Sequence, residues 1–236
     1  MMFKQLMSAS ILTSALTFSG AVLALDSFNN IGSLSQAQFD QLSEDLGASF
    51  SYKALSPAEP LGIVGFDMGL EVTATQLKSA SVFNTATGTS FDTLPVPKLH
   101  IRKGLPLNID VGLSYLPGSI NLIGYELSYA ILEGGVATPA VSIRATSSKL
   151  SGSPDISMST QGYELSVSKG FAMFTPYAGI GSIKVETTAT GFTKSSSTLA
   201  KTFYGFNMAL GLMNIAVEGD STGGINSYGA KVGFRF

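Results

Sequence analysis

From residue 62 to the end of the chain, apolar and polar side chains alternate with a period of two, which is the periodicity of a β-strand. The first alternating segment places Met68, Leu70 and Val72 on one face. Asp67 and Glu71 lie on the other face. A shift of one residue would move both carboxylates to the apolar face, so the two faces of this strand are well determined.

The same alternation returns in nine further segments. They cover residues 98–103, 108–116, 120–132, 139–148, 157–169, 175–187, 201–211, 214–218 and 225–236. With the first segment we predict about ten strands, within a range of roughly eight to twelve. Strands in sequence order joined by turns predict an all-β fold in which an antiparallel up-and-down sheet closes into a barrel.

The first residues of the chain have the organisation of a secretory signal sequence. Lys4 supplies a short positive region, residues 6–23 carry no charge, and the small residue Ala24 precedes Leu25 and Asp26. We predict that residues 1–24 are removed by cleavage after Ala24. An uncleaved membrane anchor is the alternative, because the uncharged run is long enough to cross a bilayer. Its serine, threonine and glycine residues dilute the hydrophobicity and favour the signal sequence.

Charged residues make up only 13% of the chain, against roughly 25% in typical soluble domains. Part of the surface must therefore face something other than water. The 14 basic and 16 acidic residues nearly balance, which leaves no basic footprint for nucleic acid. Cysteine is absent, which excludes disulfides, thiolate metal sites and a lipid-modified cysteine. No metal site and no cofactor are predicted.

A soluble barrel or β-sandwich would show the same alternation with the buried and exposed faces exchanged. The apolar faces are rich in Tyr, Phe, Leu and Val, whereas the polar faces hold small residues and charges of both signs. These charges are too sparse for a water-exposed surface, but they can pair inside a barrel. After the signal sequence, no apolar run is long enough for a second spanning helix, so any further crossing must use strands. A transmembrane barrel is therefore the favoured interpretation.

The chain ends on an amphipathic strand with an aromatic last residue. The apolar face of this strand carries Tyr228, Val232, Phe234 and Phe236. Together with the signal sequence and the alternation, this ending resembles small bacterial outer-membrane β-barrels as a class, over residues 62–236. The resemblance implies the outer membrane of a Gram-negative bacterium, with outer-membrane lipid and lipopolysaccharide around the barrel. It also implies that the barrel-assembly machinery recognises the C-terminal strand.

An even number of strands returns the end of the barrel to the side on which it began, which is the periplasm in outer-membrane barrels. The predicted far-side connections include residues 77–97, 149–156 and 188–200. Most of them match or exceed the near-side connections in length. Long outer loops and short inner turns are typical of outer-membrane barrels.

Residues 25–61 precede the barrel and contain one predicted helix. Ser35 and Gln38 can form a capping box at its start, and Gly47 is a natural stop. Its apolar stripe consists of Phe39, Leu42 and Leu46. We predict that the helix packs in or across the periplasmic mouth of the barrel as a plug. A short helix with no such role remains an open alternative.

The polar faces of the predicted strands place charges of both signs inside the barrel. We predict a lumen network formed by Asp67, Glu71, His100, Arg102, Asp110, Glu126, Arg144, Glu164, Lys184, Glu186, Glu218, Lys231 and Arg235. The network either fills a narrow barrel or leaves a gap for a pore. No run of one sign indicates an anion or cation filter.

His100 is the only histidine, so any mechanism that needs an imidazole must use it. The residues after it, Ile101, Arg102 and Lys103, do not match the histidine motifs of omptin-type proteases, outer-membrane phospholipase or lipid A deacylases. A lumen histidine held by a carboxylate is the favoured interpretation. No catalytic residue is therefore predicted.

These features predict a non-enzymatic outer-membrane barrel. It would serve either as a narrow or gated pore for a small solute or as a structural envelope protein. The alternative is a surface-binding barrel whose extracellular loops recognise a ligand or partner. An outer-membrane lipid-modifying enzyme or protease is the third possibility.

Overall fold

The computed structural model describes residues 28–116 and 120–236, so the predicted signal sequence and its cleavage site lie outside the described residues. A 3₁₀ turn at Ile31–Ser33 precedes helix α1 (Gln36–Phe50), and helix α2 (Ala80–Thr87) follows the first strand. The strands are β1 (Phe66–Gln76), β2 (Thr93–Leu105), β3 (Ile109–Leu116), β4 (Asn121–Glu133), β5 (Ala140–Ser151), β6 (Ile156–Ser168), β7 (Phe174–Ala189), β8 (Ser195–Leu210), β9 (Met213–Thr222) and β10 (Ile225–Arg235). Within these ranges, neither helix is long and apolar enough to cross a bilayer.

The strands form one closed antiparallel barrel. Each strand pairs with its neighbours in sequence, and β1 pairs with β10 to close the ring. At this seam Glu71 lies opposite Lys231 on one side and opposite Lys98 on the other. The predicted all-β fold, the strand number and the role of the C-terminal strand in closure are confirmed.

The barrel has two distinct ends. We call the end where β1 begins and β10 finishes the terminal end, and the opposite end, which carries α2, the helical end. Only the connection between β1 and β2 (residues 77–92) is clearly longer than those at the terminal end. The difference in loop length is smaller than predicted, because β8 already begins at Ser195 and β9 runs on to Thr222.

A belt of exposed apolar side chains surrounds the barrel. It includes Leu70, Leu127, Leu165 and Val232, and phenylalanines are exposed at the terminal end. These are Phe171, Phe174, Phe234 and Phe236. Exposed tyrosines lie further toward the helical end, at Tyr125, Tyr163, Tyr204 and Tyr228. An apolar belt with aromatic residues toward its edges is the lipid-facing surface of a transmembrane barrel.

Near the helical end the two faces of the wall exchange character. The inward side chains there are apolar, for example Val96, Leu150 and Val185. The outward ones are polar, for example Lys149 and Ser159. The lumen therefore consists of an apolar half at the helical end and a charged half at the terminal end.

Helix α1 lies inside the apolar half of the lumen. Its side chains Phe39, Leu42, Leu46 and Phe50 are fully buried in the same core cluster as Phe83 of α2. Where α2 begins, the Asp45 carboxylate of α1 accepts hydrogen bonds from two backbone N–H groups. In the predicted topology the terminal end faces the periplasm. In that topology α1 lies at the end opposite to the periplasmic mouth where the helix was predicted to pack.

The local sequence accounts for the start of α1 but not for its end. The Ser35–Gln38 capping box is present as predicted. The helix continues through Gly47 to Phe50, however. A Cβ atom at Gly47 would overlap a methyl carbon of Val185. Gly47 therefore permits close approach of the helix to the barrel wall and does not end the helix.

Candidate functional site

The charged half of the lumen is occupied by residues 51–61, which we call the lumen segment. It runs from the end of α1 toward the terminal end, and residues 51–58 are all buried. It bonds to the wall through the pairs Tyr52–His100 (2.6 Å), Lys53–Asp220 (2.8 Å), Ser56–Arg144 (3.4 Å), Ala58–Ser168 (3.1 Å) and Leu61–Asp110 (3.1 Å). The backbone adopts positive φ at Leu55 (42°), where the buried chain turns. Side chains of the wall thus hold the segment along its length.

Glu71 is the centre of one cluster in this half. Its carboxylate forms an ion pair with the Lys98 ammonium at 2.8 Å and lies 3.0 Å from Nδ1 of His100. With a proton on Nδ1, Nε2 of His100 accepts from the Tyr52 hydroxyl at 2.6 Å. All four residues are 1% exposed or less. The wall histidine is therefore held by a carboxylate on one side and by the lumen segment on the other.

A second cluster alternates charges around the wall from β2 to β8. The Arg102 guanidinium contacts Asp110 at 3.1 Å and Glu126 at 2.8 Å. The Arg144 guanidinium bridges Glu126 at 3.4 Å and Glu164 at 2.7 Å. Lys201 completes the series at 2.6 Å from Glu164. Each carboxylate in the middle of the series neutralises two cations, so loss of one would leave buried charge uncompensated.

A third pair lies at the seam of the barrel. Lys231 of β10 contacts Asp67 of β1 at 2.9 Å, and both side chains are buried. Arg235 points inward at the terminal end of the same strand and is half-buried. Glu218 is also buried in the lumen, and within the described ranges it makes no ion pair. The seam is thus closed by ionic contact as well as by backbone hydrogen bonds.

All but two of the predicted network residues point into the lumen. The exceptions are Lys184 and Glu186 of β7, which face outward and pair with each other at 2.8 Å. The prediction for these two residues is wrong, because near the helical end the inward positions of β7 are the apolar Ile183 and Val185. Most of the inward charges lie where the outer face of the wall is apolar.

Several residues of the site were missed by sequence reasoning. Lys98 shares the inward face of β2 with His100, and Asp220 shares that of β9 with Glu218, so alternation alone could have identified them. Lys201 of β8 is buried and belongs to the network in the same way. The remaining two, Tyr52 and Lys53, lie in a stretch with no period-two pattern. No sequence signal indicated that this stretch enters the lumen.

Burial shifts the titration of polar groups in the N-terminal region. Desolvation raises the pKa of Asp45 above its usual value, against the opposing effect of the two backbone N–H groups that it accepts from. Burial raises the pKa of Tyr52 well above its usual range, and the nearby Glu126 carboxylate adds to the shift. Burial also lowers the pKa of Lys53, although the Asp220 carboxylate opposes it. Removal from water is thus the largest influence on the pKa of each of these three groups.

No family model matches this chain, and no curated protein matches it in sequence. Among solved structures, a loop-deletion mutant of OmpT from Vibrio cholerae is 9% identical, with a TM-score of 0.33; the match covers 60% of this chain and 54% of that one. Neisserial surface protein A is 12% identical, with a TM-score of 0.33 and coverage of 72% and 95%. Ail of Yersinia pestis, solved with a heparin analogue, is 8% identical, with a TM-score of 0.29 and coverage of 73% and 97%.

These similarities are too distant to carry an argument about function. The chain spans about half the length of the Vibrio cholerae protein, at 54%. The fold of an outer-membrane β-barrel instead follows from the closed strand order and the exposed apolar belt of the chain itself.

Proposed function

We propose that this protein is a closed, non-enzymatic outer-membrane barrel that acts as a structural envelope protein and presents its helical end to the exterior. The observation that carries this proposal is the unbroken burial of residues 45–58 along the lumen. An aqueous passage would leave side chains of this stretch in contact with water. The stretch instead fills the cross-section of the barrel as a permanent core.

The packing of α1 argues against a gated pore. Withdrawal of the helix would expose Phe39, Leu42, Leu46 and Phe50, each of which is fully buried. Exposure of such a side chain costs about 1.5 to 3 kcal/mol. Withdrawal of the lumen segment would also leave Asp220 without the ammonium of Lys53. Both halves of the lumen therefore oppose opening.

Burial of the histidine cluster argues against an enzyme. The arrangement of Glu71, His100 and Tyr52 brings a carboxylate, an imidazole and a hydroxyl into hydrogen-bond contact, as nucleophilic catalysis requires. Each of these groups is sealed inside the wall, however, and the hydroxyl belongs to the lumen segment itself. A substrate could reach them only if that segment left. The cluster therefore anchors the segment.

Conductance in planar bilayers tests the closed barrel. Because the chain has no cysteine, a variant with Ser43→Cys and Thr187→Cys can lock α1 to β7 by a disulfide. The hydroxyl oxygens of these two short side chains lie 2.6 Å apart, which is close enough for a bridge. We expect no discrete conductance from the unmodified protein or from the variant, oxidised or reduced. The single Ser43→Cys variant is the matched control. Stepwise conductance of the unmodified protein would overturn the proposal, and its loss on oxidation of the double variant would identify α1 as a gate.

Surface labelling tests the orientation. Phe28 packs against Phe83 of α2 at the helical end, with ring centroids 6.4 Å apart. An epitope inserted directly before Phe28 should therefore bind antibody on intact cells. The same epitope after Phe236, at the terminal end, should require permeabilised cells. The reverse pattern would contradict the orientation.

A further inference from the structure

The lipid-facing wall contains a groove on strands β4 to β7, with a volume of about 690 Å³. The groove arises because a large side chain lies between two small ones. Tyr163 of β6 stands between two short neighbours, Ala145 of β5 and Ser182 of β7. Because these neighbours do not fill the space beside the ring, a trough lies along the wall. Its volume falls within the range of small-ligand sites.

The groove continues toward the terminal end. A second trough of about 440 Å³ shares Leu165 and Ile180 with the first and extends past Val141 and Ala178. From Ala145 to Val141 the path is four residues long, or about 13 Å along a strand. One leaflet of the hydrocarbon core is about 15 Å thick. The groove is therefore long enough to hold an acyl chain along most of one leaflet.

Cationic side chains lie on the same strands, directly toward the helical end. Lys184 follows Ser182 on the outer face of β7, and Lys149 lies on the outer face of β5 beyond Ala145. Glu186 pairs with both Lys184 and Lys194 at 2.8 Å. One carboxylate thus faces two lysines, so this group of three side chains keeps a net positive charge. The groove thus runs into a polar, cationic surface where the apolar belt ends.

The other outward lysines of the barrel wall are placed differently. Lys103 and Lys169 both lie at the terminal end, where their ammonium groups donate to backbone carbonyls. Lys149, in contrast, makes no ion pair within the described parts of the chain. On the barrel wall, positive charge beside the helical end is thus concentrated above the groove. This combination fits a lipid that carries both acyl chains and phosphate.

We infer that the β4–β7 wall is a binding site for a phosphorylated, multiply acylated glycolipid of the outer leaflet, the chemistry of lipid A. An acyl chain lies in the groove beside Tyr163, and a phosphate group binds between Lys149 and Lys184. Ser159 and Gln161, between the two lysines on β6, offer hydrogen bonds to the saccharide. The inference rests on the proposed orientation, because it needs the helical end to face the outer leaflet.

Native mass spectrometry of the purified protein in detergent tests the site with purified bisphosphorylated lipid A as the probe. Substitution of Lys149→Gln or Lys184→Gln should weaken binding roughly fivefold each. Filling the groove by Ala145→Leu with Ser182→Leu should also weaken binding without loss of the heat-modifiable folded form. Ala230→Leu, on the outer face of β10 away from the groove, is the matched control and should bind like the unmodified protein.

Two further probes separate this site from general lipid adhesion. Dephosphorylated lipid A and phosphatidylglycerol should both bind more weakly than bisphosphorylated lipid A. Equal binding of phosphatidylglycerol, or lipid A binding that neither the lysine nor the groove variants alter, would overturn the inference. Because binding in detergent depends neither on conductance nor on orientation in cells, such a failure would leave the closed barrel standing.

Discussion

The two halves of the lumen are built from the same strands but hold opposite kinds of side chain. In the apolar half, α1 packs against the wall as in the core of a soluble protein. In the charged half, buried ion pairs join the wall to itself and to the lumen segment. The difference depends on whether lipid or water covers the outer face of the wall. Where lipid covers the wall, polar groups must turn inward; where water covers it, apolar groups do.

The comparison implies different costs for damage in each half. A side chain removed from the apolar half leaves a cavity, whose cost depends on how far its neighbours relax. A charge removed from the charged half leaves its partners buried and unpaired, and relaxation cannot remove their charge. We therefore expect substitutions in the charged half to destabilise the protein more than substitutions in the apolar half.

The largest effect is expected from Glu126→Gln. This carboxylate is shared by Arg102 and Arg144, which would lose a common counter-ion while still buried. The free energy of unfolding should fall by about 3 to 5 kcal/mol. Urea titration followed by the heat-modifiable gel band measures it. Glu133→Gln, on the same strand but exposed, should change stability by less than about 0.5 kcal/mol. Equal tolerance of both changes would contradict the role of the network.

Leu46→Ala tests the apolar half. Leu46 is fully buried between α1 and the wall, so we expect a loss of about 2 to 5 kcal/mol. The same urea titration applies, with Gln41→Ala on the exposed side of α1 as the control. If Leu46→Ala were as mild as the control, α1 would not be part of the core.

Gly47→Ala tests the fit between helix and wall. Alanine is the better helix former by about 1 kcal/mol, but its Cβ would overlap a methyl carbon of Val185. We expect net destabilisation of about 1 to 3 kcal/mol. Adding Val185→Ala should make room for the new methyl group and recover part of this loss relative to Val185→Ala alone. A double-mutant cycle measures this coupling, and strictly additive losses would contradict the close contact.

The smallest effect concerns pH at the junction of α1 and α2. Burial raises the pKa of Asp45, so the folded protein holds this proton more tightly than the unfolded chain. Its contribution to stability is therefore full below the ordinary pKa of 3.8 and falls as pH rises through the raised value. As the pH rises from 3.8 to the raised pKa of Asp45, the Tm of the unmodified protein should fall relative to that of the Asp45→Asn variant. A difference in Tm that stays constant with pH would refute this assignment.

Local sequence patterns were enough to predict much of the fold. Alternation indicated a barrel of about ten strands, and it placed residues such as Glu71, Arg102 and Glu164 on the inner face of the wall. The Ser35–Gln38 pair located the start of α1, because capping depends on a few adjacent residues. These features are local, so neighbouring residues suffice to specify them.

The remaining features depend on contacts between distant parts of the chain. Alternation shows which side chains share a face of a strand but not which medium that face meets, which is why Lys184 and Glu186 were misplaced. The pairing of Lys53 with Asp220 depends on where a stretch without periodicity runs through the lumen. The position of α1 depends in the same way on the apolar side chains that the strands gather at the helical end. Contacts between residues distant in sequence settle these features, because burial depends on what surrounds a side chain in space.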